Sequence, residues 1–83
     1  EVSCLKLEMA FGVVLRRYRK EISLSQEQLA HNANLDRTYI SLLERGLRKP
    51  TITTVFVLAV ALNIHPYDLV KDAAQLQTEF KFV

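Results

Sequence analysis

At 83 residues the chain has room for one domain with a single, modest core. Its composition, 49% apolar and 24% charged, excludes an intrinsically disordered segment, and a lone cysteine (Cys4) excludes an internal disulfide or a cysteine-built zinc site. Net charge is only +2, yet it is unevenly spread: residues 16–49 hold eight basic side chains against four acidic ones, and the remainder is acidic on balance. One face that meets a polyanion would explain the asymmetry, and a solvated helical surface would explain it equally.

No apolar run approaches the roughly 20 residues a membrane span requires, and the N-terminus shows no basic-then-apolar secretory pattern. A reducing, cytoplasmic setting is therefore expected, with Met9 a candidate for the natural start. Glycine and proline are scarce, two of each, which favours helices joined by short turns over a sheet with tight hairpins.

The first predicted helix spans 8–21. Phe11, Leu15 and Tyr18 recur at helical spacing, with Arg16, Arg17, Arg19 and Lys20 off that stripe. Gly12 inside it lowers helix stability, which points to close packing against a neighbour. A second helix opens at Ser25, where Gln28 three residues on completes a capping box, and fades at Asn32. Ala33, Asn34 and Leu35 then read as a sharp turn, since Asn tolerates the left-handed conformation, with Leu35 tucked into the core and Asp36 capping the third helix.

That third helix covers 37–45, with Ile40 and Leu43 inward and Gly46 as its stop. A basic loop of Arg48, Lys49 and Pro50 leads to a fourth helix, capped by Thr51 and running to Leu62. A fifth starts at His65, with Pro66 in the first turn, and reaches about residue 75. Two helices joined by a three-residue turn, the second bearing polar outward positions, form a helix-turn-helix signature. The expected fold is thus all-α, a bundle of about five helices in a single domain over 1–83 with its core at about 8–75.

At this point the sequence resembles a known family. The run Ser25-Gln26-Glu27-Gln28-Leu29-Ala30, then Leu35-Asp36-Arg37-Thr38-Tyr39-Ile40-Ser41 and Glu44-Arg45-Gly46, is similar to the Cro/XRE helix-turn-helix family with the lambda-repressor-like fold. The likeness continues through Lys49-Pro50-Thr51, Leu58-Ala59, Ala61-Leu62 and the helix at 66–69, covering about 11–70. Residues 35–41 further resemble the small controller proteins of restriction–modification systems. Ser23 and Asn34 stand where the family often has Gly, and both are tolerable in turns.

The resemblance implies a transcriptional regulator, repressor or autoregulator, whose third helix lies in the major groove of double-stranded DNA. Arg37, Thr38 and Ser41 would then read base edges: Arg37 offers paired donors to guanine, Thr38 a hydroxyl or a methyl, and Ser41 close approach, while Leu42 suits a thymine methyl. A cation at the positive end of its own helix is slightly unfavourable, so Arg37 as a mere surface residue is the weaker explanation. Leu42 fits the rim of the core equally well. Gln26 carries over from the family as a phosphate contact, joined by Tyr39, Arg45, Arg48 and Lys49. Arg19 and Glu44 occupy the positions of a family ion pair that would orient the third helix.

One recognition helix touches few base pairs, so a homodimer on a palindromic operator is expected, with half-sites about 34 Å apart. In the fourth helix Ile52, Val55, Leu58, Ala59 and Leu62 account for the core, leaving Phe56, Val57 and Val60 to join Tyr67 and Val70 in a dimer interface. The competing arrangement folds Phe80 and Phe82 of the tail back over that patch. No catalytic triad, metal set or phosphate-binding glycine loop is present, and His31 and His65 are isolated, so neither an enzyme nor a cofactor nor a small-molecule ligand is expected. The alternative function is an antitoxin-like module of the same fold that binds a protein partner.

Overall fold

The computed structural model describes residues 6–77, which form five helices. They are α1 Leu7–Glu21, α2 Gln26–Ala33, α3 Arg37–Glu44, α4 Ile52–Leu62 and α5 Pro66–Leu76. No strand occurs among the described residues. The tail residues Phe80 and Phe82, expected as a competing cover for the apolar patch, lie outside the described part.

Helix starts obey their caps. Ser25 Oγ accepts from Gln28 N at 3.0 Å while Gln28 Oε1 accepts from Ser25 N at 2.8 Å, the reciprocal box its sequence predicts. Thr51 Oγ1 accepts from Thr54 N at 3.0 Å. His65 N donates to Asp68 Oδ2 at 3.2 Å, and Pro66 occupies the first turn. Asp36 departs from expectation: it stands at the N-cap of α3 but its side chain makes no capping hydrogen bond.

The ends of α1 to α4 share one device. Ser23, Asn34, Gly46 and Asn63 all adopt positive φ, between 56° and 74°. Each carries the paired bonds of a Schellman turn, as in Gly46 N to Leu43 O and Leu47 N to Leu42 O. Ala33 is the last residue of α2, so that helix runs one residue past its expected fade.

The core draws on every helix: Ala10, Phe11, Val14 and Leu15 from α1, Leu29, Ala30 and Ala33 from α2, and Ile40 and Leu43 from α3. Val55, Leu58, Ala59 and Leu62 of α4 join Leu69 and Ala73 of α5. Each large side chain so buried contributes about 1.5–3 kcal/mol relative to exposure. Tyr18 and Leu35 pack against this core half-buried.

Gly12 is buried where α1 crosses α3, and a Cβ there would sit 2.6 Å from the Glu44 carbonyl oxygen and closer to that of Leu43. The close approach inferred from its presence is therefore real, and no larger residue fits.

Two assignments on α4 need correction. Ile52, expected in the core, is 77% exposed, and Val57, expected on the open face, is half-buried against the core. Nearly every residue of α4 is apolar, so its sequence carries almost no amphipathic contrast to orient it. No single helix among the described residues is long and apolar enough to cross a membrane.

Candidate nucleic-acid interface

The helix-turn-helix unit is α2, the turn Asn34-Leu35-Asp36, and α3. Asn34 reverses the chain in the left-handed conformation (φ 56°, ψ 44°), and Leu35 anchors the turn by packing half-buried on the core. One carboxylate fixes the unit to the rest of the molecule. Glu44, in the last turn of α3, accepts from Arg19 Nε at 2.6 Å, Arg19 Nη2 at 2.9 Å and Gln26 Nε2 at 3.0 Å. Arg19 Nη1 donates to the Leu24 carbonyl at 2.8 Å.

Both charged side chains are almost fully enclosed, 8% and 3% exposed, and the hydrogen bonds to Glu44 raise the Arg19 pKa above its ordinary value despite the cost of burial. Such a pair adds little net stability relative to apolar packing, but losing one partner strands a buried charge. Three elements, α1, the start of α2 and the end of α3, are thereby held at one point.

On this mount α3 presents Arg37 and Thr38 exposed in its first turn, with Ser41 and Leu42 half-buried below them and Arg45 exposed at its end. Arg48 and Lys49 come next on the exposed loop; Lys49 Nζ lies 3.7 Å from Glu8 Oε2, an open surface pair.

Two candidate phosphate contacts are partly committed elsewhere. The Gln26 side-chain amide donates one N–H to Glu44, so its second amide hydrogen and the backbone N–H groups of the first turn of α2 remain to meet an anion. Tyr39 is half-buried, and its hydroxyl lies 3.4 Å from Thr54 Oγ1, turned toward α4.

Away from α3, Phe56, Val60, Tyr67 and Val70 stand more than half exposed. An apolar groove runs between α4 and α5, lined by Pro50, Ile52, Val55, Phe56, Pro66, Tyr67 and Val70. Sequence reasoning missed Ile52 and Pro50 as members of this surface, the first because it counted as core. Val57 does not belong to it.

A second polar cluster has no signal in the sequence. The Tyr18 hydroxyl donates to Asp72 Oδ2 on α5, and Arg17 Nη2 lies 3.2 Å from the same oxygen. That hydrogen bond, reinforced by burial and by the negative charge of Asp72, pushes the Tyr18 phenol up to about 12. The partners stand 54 and 55 positions apart, and nothing local announces them. Among the described residues no three His, Cys, Asp or Glu side chains are grouped to hold a metal ion.

Known proteins share this geometry. A family model described as helix-turn-helix matches residues 15–69. The control protein C.SmaI of Serratia marcescens is 51% identical over 49 residues, 59% of this chain, and the match spans 58% of that protein. The crystal structure of the restriction–modification controller C.AhdI from Aeromonas hydrophila superposes with a TM-score of 0.74 at 42% identity, covering 75% of this chain and 94% of that one. The controller C.Esp1396I, solved as a tetramer with its natural 35 base-pair operator, gives a TM-score of 0.74 at 32% identity over 84% of this chain and 97% of that one. With well over half of its length matched, the chain belongs to the Cro/XRE-type helix-turn-helix family.

Proposed function

We propose that this chain is a sequence-specific, DNA-binding transcriptional regulator of the restriction–modification controller type, acting as a single domain and a homodimer on a palindromic operator. The observation that carries the reading is the exposed first turn of α3, where Arg37 and Thr38 project from a helix whose far end is locked through Glu44 to Arg19 and Gln26. A base-reading helix needs that combination, because a hydrogen bond to a base edge discriminates only if its donor is held in register. The controllers C.AhdI and C.Esp1396I, the latter solved on its operator, support the same reading.

In this reading Arg37, Thr38, Ser41 and Leu42 meet base edges, while Gln26, Arg45, Arg48 and Lys49 meet phosphates and set the register. Tyr39 serves at the margin, since its hydroxyl is turned to Thr54. Phe56, Val60, Tyr67 and Val70, with Ile52, pair the two copies. The site of action is the cytoplasm, with the DNA it binds.

The test is selection of binding sites from a random duplex pool, combined with affinity measurements across a salt series. A palindromic consensus with half-sites about one helical turn apart supports the proposal. Weak, steeply salt-dependent binding to every duplex alike would overturn it, since only the counterion-release term would then be present.

A further inference from the structure

α3 packs chiefly on α1 and α2, while α5 packs on α1 and α4. The exposed apolar groove belongs to α4 and α5. Tyr39 of α3 reaches Thr54 of α4 directly and α2 packs on both of those helices, but the α5 side of the apolar face is joined to the reading helix by α1, which touches both α3 and α5. It grips them with adjacent residues. Arg19 takes Glu44 of α3, and its neighbours Tyr18 and Arg17 take Asp72 of α5.

The grip on α5 is built as a fixed joint. Asp72 is half-buried and receives a phenol and a guanidinium on one oxygen, charge-assisted bonds that hold a definite geometry better than apolar contact does. The remaining contacts of α5 with the core, Leu69, Ala73 and the half-buried Leu76, are apolar, and Ala73 in particular presents only a methyl group. Interdigitated apolar packing holds α5 against the core, and the polar joint adds a directional restraint with one preferred geometry.

We propose that Asp72 is a positioning residue that, by clamping Tyr18 and Arg17, fixes the angle between the dimer face and the recognition helix and so sets the half-site spacing the dimer accepts. This rests on the regulator reading above. A small rotation of α5 relative to α1 would be carried by the two-fold axis into both copies, doubling its effect on the separation of the two α3 helices.

Tyr18→Phe removes the hydroxyl and keeps the ring, and Asp72→Asn removes the charge and keeps an acceptor, so both variants are expected to fold. Two measurements apply to each. The first is the distance distribution between nitroxide labels at Glu27→Cys on α2 and Lys71→Cys on α5, with Cys4→Ser, diluted into unlabelled protein so that only distances within one chain are read. A single narrow distance is expected for the parent protein and a broader or displaced one for Tyr18→Phe.

The second is affinity for the selected consensus with its spacer lengthened or shortened by one base pair. The parent's preference for the best spacer is expected to fall roughly threefold or more in Tyr18→Phe, with the half-site consensus unchanged, and Asp72→Asn to lie between the two. A core variant of matched stability, Val14→Ala, is expected to leave spacer preference intact. Unchanged distances in Tyr18→Phe, or broadened distances with unaltered spacer preference, would overturn the proposal. If the parent selects no paired half-sites, the regulator reading fails, and the distance measurement still decides whether the clamp fixes α5.

Discussion

Arg37 and Glu44 stand at opposite ends of one eight-residue helix, and their substitution should separate reading from support. Arg37 is exposed and has no partner in the hydrogen bonds or ion pairs of the described residues, so Arg37→Ala should leave stability nearly unchanged. On a cognate operator the same change should cost about 1–3 kcal/mol and relax preference at one base pair. Uniform weakening on all sequences would reassign it as a phosphate contact. Glu44→Gln should behave in the opposite way, because it leaves the Arg19 guanidinium buried without its counter-charge. Unfolding in urea should show a loss of about 3–5 kcal/mol, and Arg19→Met with Glu44→Leu together should restore much of it.

The elevated Tyr18 phenol adds a pH signature. The folded state holds that proton more tightly than the unfolded chain, so its contribution is fully present below pH 10 and is lost as pH rises toward about 12. Titration of tyrosinate absorbance should show a late ionisation step, and Tyr18→Phe should remove it. The Arg19–Glu44 pair was legible only through family resemblance, and the Tyr18–Asp72 pair not at all. Both join side chains far apart in sequence, and helical periodicity says which face a residue is on without saying what stands opposite.

At the scale of elements, the legible parts were those specified within a few residues: the Ser25 and Thr51 caps, the Asn34 turn, the Gly46 stop, and Gly12 as a point of close approach. The two misplacements in α4 share a cause, an all-round apolar surface that removed the contrast which would have put Ile52 outside and Val57 in. The four left-handed helix ends make a further prediction. Only one of them is Gly, and a side chain in that conformation costs about 1–2 kcal/mol, least for Asn. Ser23 is neither Gly nor Asn, so Ser23→Gly should stabilise the domain by about 0.5–1 kcal/mol, visible as a higher midpoint in thermal unfolding. Gly12→Ala should do the reverse, because the added methyl meets the backbone of α3 and can be accommodated only by moving that helix. It should therefore weaken DNA binding as well as stability.

For the whole molecule, the decisive arrangement is that the basic, exposed end of α3 and the apolar groove of α4 and α5 are different surfaces, so one can be disabled without touching the other. Phe56 is 54% exposed and lines that groove, with no hydrogen-bonding role, so Phe56→Glu should fold normally. Placed at a two-fold interface, it would set two carboxylates in an apolar setting close to each other, which opposes association strongly. Sedimentation should report a dimer for the parent and a monomer for the variant. Operator affinity should drop on the order of 100-fold or more, because two linked half-site contacts become two independent ones. Affinity for an isolated half-site should not change. A Phe56→Glu protein that stays dimeric and keeps its operator affinity would place the two-fold elsewhere. The groove between α4 and α5 would then be the seat of a different protein partner, the arrangement an antitoxin-like module requires.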